Sequence, residues 1–277
     1  VRQAFAANLA RIAETARRFL ERAQFGKQAD MVRQHAAAVG AGGGGEELHQ
    51  QQSYDEKLRA LQKLVLDVVI GMLPGETSSF VRQTLLRDIT RLCLFLGRAT
   101  TSNFIVPLII TFLNDPDWRL RCCFFRHIAG LAAFAGMMSL EKFLLPCIYQ
   151  GLTDEEDFVA VQALVCLASL CELRLFRKAV LLQVLRRARS FLFHPSPWLR
   201  LSCVAVLAAG ACTLDLVDKY AFLVPLLQPL LAYECASFTE EELLRSLRPP
   251  VRRASLDKAL LVAYATAMEC ASGGPSD

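Results

Sequence analysis

Long apolar runs are missing from this sequence, although apolar residues make up 53% of it. The longest candidate, Ala129–Met138, covers about ten residues, whereas a helix that crosses a bilayer needs roughly twenty. The chain begins at Val1 without a methionine, and its first helix lacks the apolar core of a signal peptide. We therefore expect no transmembrane helix, and we interpret the 277 residues as a piece of a longer protein.

Recognisable metal, redox and catalytic motifs are also missing. The ten cysteines include no CxxC pair, and the four histidines form no HExxH motif or local Cys–His cluster. The GxSxG motif, the HRD and DFG triplets of kinases, and the GKS or GKT of a phosphate-binding loop do not occur. Because most cysteines lie inside apolar runs, we expect buried, reduced thiols in an intracellular compartment. The sequence thus predicts no catalytic, cofactor-binding or metal-ligating residue, and no cofactor.

Alternating strand patterns are absent too, and what is present instead is a repeat of a turn, an aromatic residue and an apolar helix. The apolar positions that follow the aromatic residues recur at intervals of 39, 39 and 40 residues: Val81, Leu120, Val159 and Leu199. A further apolar helix precedes each turn, and two antiparallel helices per unit of about 40 residues are typical of HEAT and armadillo repeats. We predict an all-α, HEAT/armadillo-type solenoid of stacked antiparallel helix pairs.

The aromatic residues of the repeat mark the joints between helix pairs: Phe80, Trp118, Phe158 and Trp198. Their equivalent positions predict that they pack between consecutive pairs. If the two tryptophans are buried there, replacing either with alanine costs roughly 3–5 kcal/mol.

The repeat register divides the chain into three parts. Residues 1–22 resemble the second helix of a unit whose first helix is missing, since the opening Val-Arg-Gln recurs at Val81. Residues 23–53 contain a glycine run and a glutamine run, which predict a flexible loop. Residues 54–277 are expected to form about five helix pairs with a less regular carboxyl-terminal end.

Four consecutive acidic residues, 154–157, precede the helix that begins near Phe158. Carboxylates at a helix amino terminus accept hydrogen bonds from free N–H groups and oppose the helix dipole, each contributing about 0.3–1 kcal/mol. We favour this capping role over a metal site or a site for a basic peptide, because no histidine or further carboxylate lies near in sequence.

One stretch is strongly basic. Between Arg174 and Leu214 there are seven basic residues and no acid. The members on the first helix of this unit are candidates for contact with a partner or a membrane: Arg177, Lys178, Arg186, Arg187 and Arg189. They could bind an acidic protein segment or an anionic membrane surface. Alternatively, they form a solvated face whose countercharges come from neighbouring repeats. Nucleic acid is disfavoured because few aromatic residues are interleaved with the bases.

Several segments closely resemble the middle region of one family, the protein-kinase-like regulatory subunits of class III phosphatidylinositol 3-kinase. The segments that carry the resemblance are Val1–Leu20, Ile89–Gly97, Ile110–Asp115, Trp118–Arg121, Gln150–Asp154 and His194–Trp198. The resemblance covers most of the chain and is weakest in the glycine-rich segment and after Ala265.

The resemblance implies a HEAT solenoid that lies between an amino-terminal kinase-like domain and a carboxyl-terminal WD-repeat propeller. It also implies assembly with the lipid kinase catalytic subunit and a Beclin-like subunit, in the cytoplasm at endosomal or autophagic membranes. The family's ATP-binding residues have no counterpart here. We therefore expect a non-catalytic scaffold segment, the alternative being a generic HEAT adaptor for transport or phosphatase assembly without a lipid-kinase link.

Overall fold

The computed structural model describes residues 1–37, 44–72, 78–235 and 237–272. The chain is all-α, as predicted, and over these residues the sole β-type contact is an isolated antiparallel bridge between Leu231 and Leu247. Within the same ranges, no helix is both long enough and apolar enough to span a bilayer. The helices form two compact units, Val1–Ala135 and Gly136–Asp277.

Outside residues 38–43 and 73–77, the amino-terminal unit contains six helices, of which the fifth combines α-, π- and 3-10-helical turns. They are α1 (Arg2–Ala37), α2 (Gly44–Met72), α3 (Ser79–Arg87), α4 (Ile89–Leu96), α5 (residues 98–114) and α6 (Trp118–Ala135). Asp88 separates α3 from α4, and both of these helices pack against α1 and α6. Arg82 in α3 forms an ion pair with Asp115, with its Nη1 2.5 Å from Oδ2, which ties α3 to the turn between α5 and α6.

The described part of the carboxyl-terminal unit contains seven helices, and the first, third and fifth of them combine α-helix with π- or 3-10-helical turns. They are α7 (residues 137–151), α8 (Asp157–Glu172), α9 (residues 178–193), α10 (Pro197–Thr213), α11 (residues 216–230), α12 (Glu240–Ser246) and α13 (Arg253–Ser272). The most extensive helix contact in this unit is between α8 and α10. These two helices are apolar around most of their circumference, as expected for helices covered on several sides.

The repeat register predicted from the sequence is present in the core. Its four apolar positions are all buried: Val81, Leu120, Val159 and Leu199. An arginine follows three of these four positions, at Arg82, Arg121 and Arg200, and it makes structural contacts. Arg121 donates from Nη1 to the carbonyl of Asp115 at 2.7 Å, and Arg200 donates from Nε to the carbonyl of Leu192 at 3.1 Å.

The predicted packing of the joint aromatics is wrong for three of the four residues. Phe80, Phe158 and Trp198 are exposed, the last at 61%, and Trp118 is only half-buried. Each aromatic lies in the first turn of its helix. The buried core residue follows one position later in three helices and two positions later in α6, where Leu120 follows Trp118. Consecutive residues on an α-helix point about 100° apart, so burial of Leu199 turns Trp198 outward.

The predicted loop over residues 23–53 is also wrong at both ends. α1 continues through Ala37 and α2 begins at Gly44, so residues 23–37 and 44–53 are helical. Alanine and glutamine are the commonest residues in these stretches, and both are good helix formers. Residues 38–43, which hold most of the glycine run, lie outside the described residues.

Most of the described cysteines are buried, as predicted. Seven of those described are buried: Cys93, Cys122, Cys123, Cys147, Cys166, Cys171 and Cys203. Burial raises the pKa of the Cys93, Cys166 and Cys171 thiols to about 12, which leaves them protonated and unreactive near neutral pH. Cys212 is exposed, and the side chain of Cys270 lies outside the described residues.

Candidate partner-binding site

The basic stretch identified in the sequence lies on α9, which differs from the other first helices of the repeats. α5, α7 and α11 each contain a π-helical turn: Thr101–Ile105, Leu140–Leu144 and Lys219–Leu223. A proline follows two residues after each of these turns, at Pro107, Pro146 and Pro225. Proline lacks an N–H group and clashes with the carbonyl four residues earlier, which explains the widened turn. At the equivalent position of α9 stands Leu185, and α9 is a regular α-helix over Lys178–Ala188.

α9 is amphipathic. Its apolar stripe is buried and faces the core: Leu181, Val184, Leu185, Ala188 and Leu192. All five basic residues that the sequence singled out are exposed, with Arg177 immediately before the helix. The five basic side chains therefore face solvent, while α9 packs against the apolar α10.

At the amino end of α9 the countercharges come from neighbouring helices. Arg177 donates from Nε to Glu141 Oε1 of α7 at 2.9 Å and makes a second contact from Nη2 to Oε2. The Lys178 ammonium lies 2.6 Å from Asp218 Oδ1 of α11. Hydrogen bonding from Arg177 lowers the pKa of the Glu141 carboxyl, which keeps it ionised. The alternative interpretation from the sequence, neutralisation by adjacent repeats, thus applies to Arg177 and Lys178.

The other three arginines form a cluster at the carboxyl end of α9, which we call the basic end: Arg186, Arg187 and Arg189. Among the described residues, no carboxylate oxygen lies within 4.0 Å of these guanidinium groups. The helix dipole contributes about half a negative charge at this end, too little to neutralise three cations. The basic end therefore carries positive charge that the fold itself leaves uncompensated.

Two of these guanidinium groups are held in place by uncharged partners. Arg187 lies over the ring of Tyr149 in α7, with its central carbon 4.0 Å from the ring centroid. Arg189 donates from Nη1 to the carbonyl oxygen of Leu226 in α11 at 3.4 Å. Burial raises the pKa of the Tyr149 phenol, so its ring remains neutral beneath the cation. Neither contact satisfies all the donors of a guanidinium, and both leave the group available to an anion.

The acidic turn before α8 does less capping than predicted. No side-chain hydrogen bond caps the helix at Glu156. Asp154 instead closes the turn by accepting from the N–H of Glu156 at 3.0 Å, and Asp157 lies 3.6 Å from Arg253 of α13. No group of three or more histidine, cysteine, aspartate or glutamate side chains that could hold a metal occurs in the part of the chain that the structure describes.

Sequence reasoning missed the residues that divide the basic stretch into a neutralised and an unneutralised part. Glu141, Asp218 and Tyr149 belong to neighbouring helices, and nothing in the local sequence of α9 points to them. A usable signal did exist in the prolines. Pro146 follows Pro107 by one repeat length, and Pro225 follows Pro146 by about two. Among α5, α7, α9 and α11, the helix without a proline at this position is therefore α9.

The described helices, with core positions that recur about every 40 residues, define an all-α repeat region. Comparisons with known proteins assign this region to a family. A family model described as "PIK3R4-like, middle domain" matches residues 1–260, and the chain belongs to this family. This result confirms the resemblance found in the sequence.

The relatives agree with this assignment. The chain is 37% identical over 268 residues to a protein of Dictyostelium discoideum named probable serine/threonine-protein kinase vps15, and 37% identical over 260 residues to the serine/threonine-protein kinase VPS15 of Arabidopsis thaliana. These alignments cover 93% and 91% of this chain but only 13% and 17% of the two relatives. The chain thus spans only a small part of the length of these two relatives.

Proposed function

We propose that this chain is a non-catalytic helical scaffold segment of the regulatory subunit of a class III phosphatidylinositol 3-kinase complex. The observation that carries the proposal is the match to the middle-domain family over residues 1–260. In this proposal the kinase-like domain that gives the relatives their names lies outside these residues. The helix pairs mediate the protein–protein contacts that assemble the complex. The complex serves autophagy and endosomal sorting.

The basic end of α9 is the surface we assign to a partner subunit. An acidic segment of the lipid kinase catalytic subunit or of the Beclin-like subunit fits the chemistry of this surface. Arginine pairs bidentately with carboxylates, and the contacts with Tyr149 and Leu226 reduce the freedom that two of the three side chains lose on binding. Association with these subunits would place the chain at endosomal or autophagic membranes.

Co-purification tests the lipid-kinase link. The full-length protein, tagged and isolated from cells, is expected to bring down the phosphatidylinositol 3-kinase catalytic chain and the Beclin-like subunit in near-equal amounts. Recovery of phosphatase or transport subunits without the lipid kinase would contradict the proposal and support a generic HEAT adaptor. ATP hydrolysis by this chain alone is expected to stay at the buffer background, and turnover above it would contradict the non-catalytic assignment.

A further inference from the structure

The amino ends of α7, α9 and α11 form one continuous edge of the carboxyl-terminal unit. Two ion pairs connect them: Arg177 binds Glu141 of α7, and Lys178 binds Asp218 of α11. Since Lys178 and Arg187 are nine residues apart, this edge lies about 14 Å along α9 from the basic end. It is therefore a separate surface, and its role does not depend on the proposed function.

The edge exposes apolar side chains on both sides of the two cations. The first two residues of α7 and of α11 are apolar and face solvent: Met137, Met138, Leu216 and Val217. Met138 is 75% exposed and Val217 is 77% exposed. Tyr220, one turn further along α11, is exposed as well. Single exposed apolar residues are common on protein surfaces, but a grouped set that flanks two cations is typical of a contact surface.

The outward charge of the edge is positive because each ion pair is asymmetric in depth. The Arg177 and Lys178 side chains are 62% and 58% exposed, whereas those of Glu141 and Asp218 are only 12% and 9% exposed. The carboxylates thus lie beneath the cations, and an approaching molecule meets the cations first.

The rim of the edge does not change this sign. Two further cations and two acids are exposed there and balance each other: Lys142, Arg174, Glu172 and Asp215. The net positive charge of the edge therefore comes from Arg177 and Lys178 at its centre.

We propose that this edge docks on an anionic lipid bilayer. Met137 and Met138 on one side and Leu216 and Val217 on the other insert at the level of the headgroups, with the cations between them on lipid phosphates. Tyr220 sits at the polar boundary, where its ring is in contact with lipid and its hydroxyl with water. Shallow apolar insertion combined with basic side chains is how interfacial segments bind membranes without spanning them. These apolar residues lie at the starts of the two helices whose carboxylates bind the cations.

Co-sedimentation with lipid vesicles tests this proposal. The chain is expected to bind phosphatidylcholine vesicles that contain about 30% phosphatidylserine at least tenfold more tightly than vesicles of phosphatidylcholine alone. The double variant M138D/V217D is expected to bind the anionic vesicles at least about tenfold more weakly, because two insertion points become charged and like the lipid in sign. The matched control L261D/V262D changes two equally exposed apolar residues of α13, and its binding should stay within about twofold.

Several outcomes would overturn the proposal. These are absence of binding to anionic vesicles, equal binding to both vesicle types, and equal losses in M138D/V217D and in the control. If M138D/V217D leaves vesicle binding intact but reduces recovery of partner subunits, the edge binds protein and not lipid. Circular dichroism of each variant establishes that the helices persist, so a loss of sedimentation reports on the surface and not on folding.

Discussion

Replacing Leu199 with alanine is expected to lower the free energy of unfolding by about 2–5 kcal/mol. Replacing the adjacent Trp198 with alanine is expected to lower the free energy of unfolding by less than about 1 kcal/mol. Leu199 is 1% exposed and occupies the repeated core position of α10, whereas Trp198 is 61% exposed. Removing the larger side chain should therefore cost less stability, because a side chain contributes to the free energy of unfolding mainly through the area that it buries.

Urea denaturation followed by circular dichroism measures both values without relying on tryptophan emission, which the second variant changes directly. Each variant is the control for the other, since both alter the first turn of α10. Equal losses of stability, or a larger loss for Trp198→Ala, would contradict the assigned register. Either result would support the prediction that the aromatics pack between helix pairs.

Reversing the basic end by R186E/R187E/R189E is expected to weaken binding of the chain to the assembled lipid kinase and Beclin-like subunits by about 100-fold at low salt. Three attractive contacts become repulsive, and the loss should shrink as ionic strength rises because exposed charges are screened within about 10 Å at 0.1 M salt. The stability of the chain should stay nearly constant, since the three side chains are exposed and form no ion pair with a described residue.

The chain offers a matched control in α1. The variant R11E/R18E/R22E makes the same change in net charge with three exposed arginines of the amino-terminal unit. Its affinity for the subunits should remain within about threefold of the unmodified chain at moderate salt. Equal losses in the two triple variants would show that net charge alone drives binding, and an unchanged affinity of the α9 variant would show that the basic end is only a solvated surface.

The helical class and the repeat register follow from the sequence because both depend on periodicity. Val159 and Leu199 recur at a fixed interval, and the apolar pattern around them has the helical period. Periodicity does not show whether the aromatics lie on the buried or on the exposed side of their helices. Phe158 and Trp198 also recur with the repeat, but recurrence is equally compatible with a buried joint and with an exposed row.

The limits of the predicted loop illustrate a second gap. The glycine run dominated the prediction for residues 23–53, although the residues on either side of it favour a helix. α1 ends at Ala37 and α2 begins at Gly44. Because the prediction averaged the composition of residues 23–53, it missed the end of the first helix and the start of the second.

The electrostatics of α9 could be predicted only in part. The excess of basic residues is visible in the sequence, but Arg177 and its partner Glu141 are 36 residues apart, and the partner of Lys178 lies on α11. Which cations are neutralised depends on which helices lie side by side. The distinction between the two ends of α9 therefore appears only once the helices are packed.

Arginine footprinting tests most directly whether the basic end is a docking site within a lipid kinase complex. Phenylglyoxal modifies exposed guanidinium groups, and mass spectrometry of the full-length protein, alone and in its complex, gives the modification at each arginine. Protection of Arg186, Arg187 and Arg189 by about fivefold or more in the complex is expected, with Arg11 and Arg18 unchanged. Equal modification of the three arginines in the free and assembled protein would contradict the assignment.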